Sequence, residues 1–293
     1  MTPDLLEQGA KRYEARIAAL DAARLNTVAG GQTASYGRLV QSGEVDVTHG
    51  RILYLEDVSV SFDGFKAINK LSLDIAPGEL RCIIGPNGAG KTTMMDIITG
   101  KTRPDEGTVF FGSTIDLLRH SEPEIAQLGI GRKFQKPTVF ESQTVHDNLL
   151  LALNVDHSVK GTLFWRGSKA ESERIDKVLE TIRLTEARDR LAGSLSHGQK
   201  QWLEIGMLLM QDPKLLLLDE PFEGLAPAVV QELFTVFDRL RREVSIVIVE
   251  HNLDLVLALA DRVYALERGA VFHEGPAEPL LTDLDYRKKI LWL

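Results

Sequence analysis

Residues 85–92 read Gly-Pro-Asn-Gly-Ala-Gly-Lys-Thr, and this stretch decides the fold. It has the G-x-x-x-x-G-K-[ST] spacing of a phosphate-binding loop, whose backbone N–H groups face the phosphates of a nucleotide. An apolar strand, Leu80 to Ile84, precedes the loop, and a helix predicted to reach Ile98 follows it. Strand, loop and helix in this order are the context that the motif requires. The sequence therefore predicts an α/β protein that handles a nucleoside triphosphate.

Each position of the loop has a predicted role at the phosphates. The glycines allow close approach of the backbone amides, and the following helix N-terminus favours negative charge. Lys91 is expected to bridge the β- and γ-phosphates, the Thr92 hydroxyl to bind Mg²⁺, and Thr93 to contact the α-phosphate. The predicted nucleotide ligands are Gly85, Pro86, Asn87, Gly88, Ala89, Gly90, Lys91, Thr92 and Thr93.

A second motif lies downstream, where the apolar run Leu215 to Leu218 ends in Asp219 and Glu220. Such a run reads as a buried parallel strand, and ligands bind at the carboxyl ends of parallel strands. We predict that Asp219 holds Mg²⁺ and that Glu220 orients and activates the attacking water. Neighbouring strand residues point to opposite faces, so the strand must end at Asp219 for Glu220 to turn towards the phosphate.

Two isolated polar residues complete the candidate site. Gln135 stands between the phosphate core and a helical region, where its amide could bind Mg²⁺ and position the water. His251 follows the apolar strand Ile246 to Val249, after Glu250, and is a candidate contact of the γ-phosphate. Alone, a loop Gln is usually structural and such a His is usually a core residue. Beside the two motifs, both become catalytic candidates.

The element pattern divides the chain into an extension and one domain. Residues 1–50 combine a predicted amphipathic helix (Leu6 to Leu20) with a linker rich in Gly, Ser and Thr. From Arg51, strands predicted at Ile52 to Phe62 and Leu71 to Ile75 suggest an antiparallel β subdomain. Residues 136–212 are mainly helical and are predicted to form an inserted lobe. Strands and helices then alternate, which predicts a parallel sheet with helices on its faces.

Composition excludes several classes of protein. Among 293 residues, 34 basic and 42 acidic side chains give a net charge of −8, which argues against a nucleic-acid partner. The single cysteine, Cys82, excludes an internal disulfide framework. The longest apolar runs fall short of the ~18 residues of a membrane span, and the N-terminus lacks a signal-peptide pattern. We expect any membrane role to come through partners.

The motif set resembles that of ATP-binding-cassette (ABC) ATPases. The phosphate loop, Gln135, Leu195-Ser196-His197-Gly198-Gln199, the acid strand and His251 carry the resemblance, which spans Arg51 to about Pro276. It implies the P-loop NTPase core of that family, ATP and Mg²⁺ as cofactors, and a head-to-tail dimer with itself or a sister ATPase. Ser196, Gly198 and Gln199 would then contact the ATP bound to the opposite subunit. Phe62 would stack on adenine, with Phe65 as the weaker candidate.

Three stretches resemble more closely the ATPases of bacterial urea importers, the UrtD type, a group similar to branched-chain amino-acid importer ATPases. They are Leu80 to the phosphate loop, Ile130 to Phe140 and Leu195 to Pro221, including His197. Residues 222–227 look more like the sister ATPases, and Ala226 replaces an Asp that many cassettes carry. The resemblance implies a peripheral subunit at the cytoplasmic face of the cell membrane, bound to two permeases and served indirectly by a solute-binding protein. Urea is the predicted solute, with branched-chain amino acids or a short-chain amide as the alternative.

A non-transport cassette, acting in DNA repair or on the ribosome, is the rival from another class. Repair types place long coiled coils between the phosphate loop and the acid strand. Here Lys91 and Asp219 are only 219 − 91 = 128 positions apart, and the helical lobe fills that interval. Ribosome-acting forms usually carry two cassettes, whereas this chain has one. A translation-type GTPase is weaker still, because Asn69-Lys70-Leu71-Ser72 lacks the closing Asp of a guanine-reading motif.

Overall fold

The computed structural model describes residues 45–133, 138–153, 168–252 and 259–277, together with residues 280, 285 and 288. The predicted N-terminal helix and Gln135 lie outside this part of the chain. In chain order the strands are β1 (Leu53–Phe62), β2 (Phe65–Ile75), β3 (Leu80–Ile84), β4 (Glu106–Phe111), β5 (Ile115–Asp116), β6 (Ile130–Lys133), β7 (Leu215–Asp219), β8 (Ser245–Val249), β9 (Arg262–Glu267) and β10 (Ala270–Pro276). The helices are α1 (Lys91–Ile98), α2 (Glu122–Gln127), α3 (Val145–Leu151), α4 (Lys169–Thr181), α5 (His197–Leu209) and α6 (Pro227–Leu240).

A six-stranded sheet forms the centre of the fold, in the order β10-β9-β3-β8-β7-β6. All its neighbouring pairs are parallel except β9 with β10. Strands β3, β7 and β8 are buried along their whole length, which is why most of their residues are apolar. Because β3, β7 and β8 are neighbours, their carboxyl ends meet at one edge of the sheet, where the phosphate loop begins.

A second, antiparallel sheet has the order β2-β1-β4-β5. Its β1–β2 hairpin closes with Phe62 opposite Phe65, around the turn Asp63–Gly64. The two sheets share a buried apolar cluster that includes Leu55, Ile83 and Met94. The predicted α/β fold, with a parallel sheet and an antiparallel β subdomain, is therefore confirmed.

Residues 45–50 pack on the antiparallel sheet, although the sequence pattern assigns them to the extension. Val45 is buried, and the Asp46 carbonyl accepts a hydrogen bond from the Ser113 amide. His49 Nδ1 lies 3.0 Å from the Ser113 hydroxyl. Val45 and Asp46 thus belong to the packed domain.

Helices α3, α4 and α5 pack together in the region predicted to be a helical lobe. Each helix is preceded by an N-cap residue whose hydroxyl accepts a hydrogen bond from the amide of the third helical residue. These N-cap residues are Thr144, Ser168 and Ser196. Close packing explains Gly206, where a Cβ would lie 2.6 Å from Ile182 Cδ1. Among the described residues, no helix has the length and apolar character needed to cross a membrane.

Candidate functional site

The phosphate loop joins β3 to α1, as the motif predicts, and two of its glycines are required sterically. At Gly85, φ is +153° and a Cβ would lie 2.4 Å from the Leu266 carbonyl oxygen. At Gly90, φ is +101° and a Cβ would lie 2.8 Å from the Ala67 carbonyl oxygen. The loop is therefore pressed against β2 and β9, and its conformation is set by the surrounding backbone.

Lys91 starts α1 and folds back over the loop. Its Nζ donates hydrogen bonds to the carbonyl oxygens of Gly85 (2.7 Å) and Pro86 (3.0 Å). Burial lowers the pKa of Lys91, while the carboxylates of Glu220 and Asp219 oppose that shift. The ammonium thus lies within the electrostatic reach of both acids, at the place where a phosphate chain would need a cation.

Strand β7 ends at Asp219, as the geometric argument requires. Asp219 is buried, and this burial raises the pKa of its carboxyl group, against the opposing charge of Arg132. Glu220 has a left-handed backbone with φ 45°, and its amide donates to the Val249 carbonyl oxygen at 2.9 Å. The left-handed residue turns the chain out of the strand immediately after Asp219.

His251 meets Glu220 although 31 positions separate them (251 − 220). The His251 Nε2 atom lies 2.7 Å from Glu220 Oε1, and the Glu220 side chain is 17% exposed. The neighbouring strands β7 and β8 bring the two residues together, because each follows the carboxyl end of its strand. The predicted catalytic pair is thus a direct contact, open on one side to solvent.

The sequence predicted no role for Glu250, yet its side chain holds the backbone that carries His251. Its buried carboxylate oxygen Oε2 accepts hydrogen bonds from the backbone amides of His251 (2.8 Å) and Asn252 (3.1 Å). Burial raises the pKa of Glu250, and these hydrogen bonds oppose the shift. An acid at the end of a buried strand was the available signal, since such a group needs donors.

The residues present fit a magnesium nucleotide. The first helical residues, Lys91, Thr92 and Thr93, carry amides that lack intrahelical acceptors, because the first turn of any helix leaves them free. The Thr92 hydroxyl and the Asp219 carboxylate are hard oxygen donors of the kind Mg²⁺ prefers. A loop that only glycine can form, a cation and two such donors together can hold a triphosphate and its metal.

Ser196 lies at the start of α5, exposed, where its hydroxyl accepts a hydrogen bond from the Gln199 amide at 3.2 Å. The Gln199 side chain in turn accepts from the Ser196 amide at 3.1 Å. A Cβ on Gly198 would lie 3.3 Å from both Leu225 and Val229, so α6 already occupies the space beside this glycine. The start of α5 therefore presents Ser196 outward and Gly198 towards its own chain.

The two predicted adenine-stacking residues lie opposite each other in the β1–β2 hairpin. Phe62 is 47% exposed and Phe65 is 65% exposed. Directly paired residues of an antiparallel ladder share a face, so both rings belong to one aromatic surface. The hairpin continues into Ala67 and Ile68, which contact Gly90 of the phosphate loop.

Comparisons of sequence and of structure relate this chain to the same group of proteins. The sequence model of the family described as "ABC transporter" matches residues 68–223. The chain belongs to the ABC transporter family. It is 38% identical over 242 residues to the probable branched-chain amino acid transport ATP-binding protein LivG of Archaeoglobus fulgidus, covering 80% of this chain and 92% of that protein. It is 33% identical over 250 residues to the high-affinity LivG protein of Escherichia coli K12, covering 80% and 95%.

Among solved structures, the ADP conformation of MJ1267, an ATP-binding cassette of an ABC transporter, is 34% identical, with a TM-score of 0.71. The match covers 81% of this chain and 97% of that one. The chain is therefore an ATP-binding component of an ABC transporter and a Mg²⁺-dependent ATPase, related to the LivG group. In this family such ATPases act as dimers together with permease subunits.

Proposed function

We propose that this chain hydrolyses ATP to drive an ABC importer. The observation that carries the proposal is the contact of 2.7 Å between Glu220 and His251 at the sheet edge where the phosphate loop begins. Glu220 accepts the proton of the attacking water, and His251 orients that carboxylate and contacts the γ-phosphate. Thr92 and Asp219 would hold Mg²⁺, which would supply positive charge to neutralise the charge that develops on the phosphates.

The remaining site residues bind and position the nucleotide. The loop from Gly85 to Gly90 and the amides of Lys91 to Thr93 surround the phosphates, and Lys91 supplies positive charge. Thr92 and Asp219 hold the metal, and Gln135, outside the described residues, is proposed as its third contact. Phe62 stacks on the adenine ring.

We propose a head-to-tail dimer in which Ser196, Gly198 and Gln199 complete the site of the opposite subunit. The exposed Ser196 at the start of α5 supports this arrangement, since the first amides of a helix favour a phosphate. The structure adds a restriction for Gly198, because Leu225 and Val229 already pack against it. Its role includes fitting α5 onto α6 of its own chain.

The solute is proposed on two separate observations. The resemblance of three stretches, including His197, to urea-importer ATPases supports urea. The names of the relatives, branched-chain amino acid transport proteins, support branched-chain amino acids as the second candidate. ATPase subunits do not contact the solute, so the test is uptake of labelled urea and labelled leucine by a deletion strain and its complement. Loss of leucine uptake alone would reject urea and leave the ATPase proposal intact.

Location and domain organisation follow from the same proposal. The subunit binds two permeases at the cytoplasmic face of the cell membrane, and a solute-binding protein delivers the solute to them. The ATPase domain occupies most of the chain, with a helical lobe near 136–212, and the N-terminal extension serves assembly with partners. Membrane association should be lost in a strain without the permeases, whereas its persistence there would point to a separate anchor.

A further inference from the structure

Strand β6 ends in two adjacent basic residues, Arg132 and Lys133, which are both largely buried. Their side chains are 5% and 0% exposed. Adjacent residues of a strand point to opposite faces of the sheet, so the two cations reach different layers of the protein. Buried cations are rare unless they are paired, and both of these have acidic partners.

The partners lie on two different helices. Arg132 Nη1 forms an ion pair with the Asp96 carboxylate of α1 and lies 3.4 Å from the Thr99 hydroxyl. Lys133 Nζ lies 3.6 Å from Glu204 Oε2 of α5, on the other face. Helix α1 begins with the phosphate-binding residues, and α5 begins beside Ser196. One strand end is therefore attached to both helices that carry nucleotide-binding residues.

Glu204 contacts two separate residues, Lys133 and Thr138. Its side chain is 5% exposed, and Oε1 accepts hydrogen bonds from the Thr138 hydroxyl (3.1 Å) and amide (3.4 Å). Residues 133 and 138 flank the segment that contains Gln135, and both are attached to this one carboxylate. Burial raises the pKa of Glu204, and the Lys133 charge opposes the shift.

Lys133 also acts towards the candidate metal site. In the β6–β7 ladder it pairs with Leu218, the residue before Asp219. Its charge lowers the pKa of Asp219, as does that of Arg132, in opposition to burial. The Lys133 charge thus acts on the carboxylate proposed to hold the metal, Asp219, and on the Glu204 carboxylate of α5.

We propose that the Lys133–Glu204 pair is a positioning device, which sets α5, and hence Ser196, relative to the chain's own ATP site. The proposal rests on the proposed function, since it assumes that Ser196 completes the partner's site. A buried ion pair is weak evidence for stability, because well-packed apolar residues of similar volume are often as stable or more so. An apolar pair lacks the polar atoms that connect β6 to α5 and to Thr138 in a fixed geometry.

The experiment compares Glu204→Gln and the double variant Lys133→Met/Glu204→Met with wild type in the full-length protein. The matched control is Lys169→Met/Glu173→Met, an exposed ion pair (3.4 Å) on α4. Four quantities are measured: the thermal midpoint, the nucleotide affinity of the monomer, kcat for ATP hydrolysis and KM for ATP. ATP-dependent dimerisation is measured separately in a Glu220→Gln background, which blocks turnover.

The apolar double variant should keep its thermal midpoint and its monomer nucleotide affinity, yet lose about tenfold in kcat and dimerise more weakly. A displacement of ~1 Å in a positioning element is enough for losses of that order. Glu204→Gln keeps the acceptor for Thr138 but leaves the buried Lys133 charge without the Glu204 counter-charge, so its thermal midpoint should fall below that of the double variant. The control pair should leave every quantity unchanged.

Wild-type kcat and dimerisation in the double variant would overturn the proposal and reduce the pair to a structural contact. A double variant that loses stability and activity in parallel would also overturn it. Failure of the proposed function gives a different result, because Glu220→Gln alone would then form no ATP-dependent dimer.

Discussion

Replacing Glu220 by Gln tests the catalytic assignment with little structural change. Gln has the same shape, and its amide oxygen can still accept a hydrogen bond from His251 Nε2, which lies 2.7 Å from Glu220 Oε1. The variant therefore loses the charge and the proton-accepting ability while it keeps the contact. The hydrogen bonds of Lys91 go to the carbonyl oxygens of Gly85 and Pro86, so they should be kept. The loss of the Glu220 charge removes one of the two carboxylates that oppose the lowering of the Lys91 pKa by burial.

The metal site should also survive. Burial raises the pKa of Asp219 and the Glu220 charge adds to that shift, so Asp219 should remain available as an ionised ligand in the variant. The expected loss is that of a general base, about 100-fold or more in kcat. A factor of 100 corresponds to about 2.7 kcal/mol of transition-state stabilisation. Affinity for ATP should stay within about threefold, and ATP-bound dimers should accumulate.

The assay is steady-state phosphate release, with nucleotide affinity measured by a fluorescent ATP analogue. Glu243→Gln, the same chemical change at an exposed acid near the end of α6, is the control and should behave as wild type. Lys91→Ala should give the opposite pattern, with loss of nucleotide binding. A kcat within about threefold of wild type in Glu220→Gln would refute the assignment of the base.

Four further outcomes are expected. Ser196→Arg should bind ATP as a monomer but lose dimer-dependent hydrolysis, and mixing it with Lys91→Ala should restore activity; loss of monomer binding would place Ser196 in its own chain's site. Ala226→Asp should raise the free energy of unfolding by about 1 kcal/mol in urea titrations, because Ala226 begins α6 with no side-chain cap; an unchanged value would contradict the capping argument. Burial raises the Glu204 pKa above its ordinary value of 4.5, so the folded state binds this proton more tightly than the unfolded state. The free energy of unfolding should therefore fall as the pH rises from about 4.5 through the folded pKa. Glu204→Gln should remove this fall, and a variant with the same pH profile as wild type would disprove the assignment. Deleting residues 1–44 should leave the thermal midpoint unchanged, whereas deleting residues 1–50 should lower it, because Val45 is buried; equal midpoints would show that this contact is unimportant.

The elements with strong local patterns could be predicted from the sequence. Strand β7 is an apolar run up to Asp219 and β3 is apolar except for Arg81; a motif follows each strand, and both end where predicted, at Ile84 and beside Asp219. Strand β6 was missed because half of its four residues are charged, which conceals a buried strand. Its cations are buried only because Asp96 and Glu204, far away in the sequence, neutralise them. No local pattern records such partners.

In the candidate site as well, residue types could be predicted from the sequence, whereas contacts between distant residues could not. The residue types of Glu220 and His251 pointed to catalysis, but their contact depends on the neighbouring positions of β7 and β8. The role of Glu250 depends on which backbone amides lie near its carboxylate. The packing of Leu225 and Val229 against Gly198 follows from how α6 lies on α5. Motifs identify chemistry, whereas these relations arise from tertiary structure.

The left-handed backbone of Glu220 has a consequence for protein engineering. A residue with a Cβ at φ 45° is held there at a conformational cost of about 1 kcal/mol or more, a cost that glycine does not bear. A directed-evolution screen for heat resistance alone would therefore enrich glycine at this position and discard the proposed base. Selection for thermal tolerance and selection for turnover oppose each other at this residue, so position 220 should be held fixed in any stabilised library.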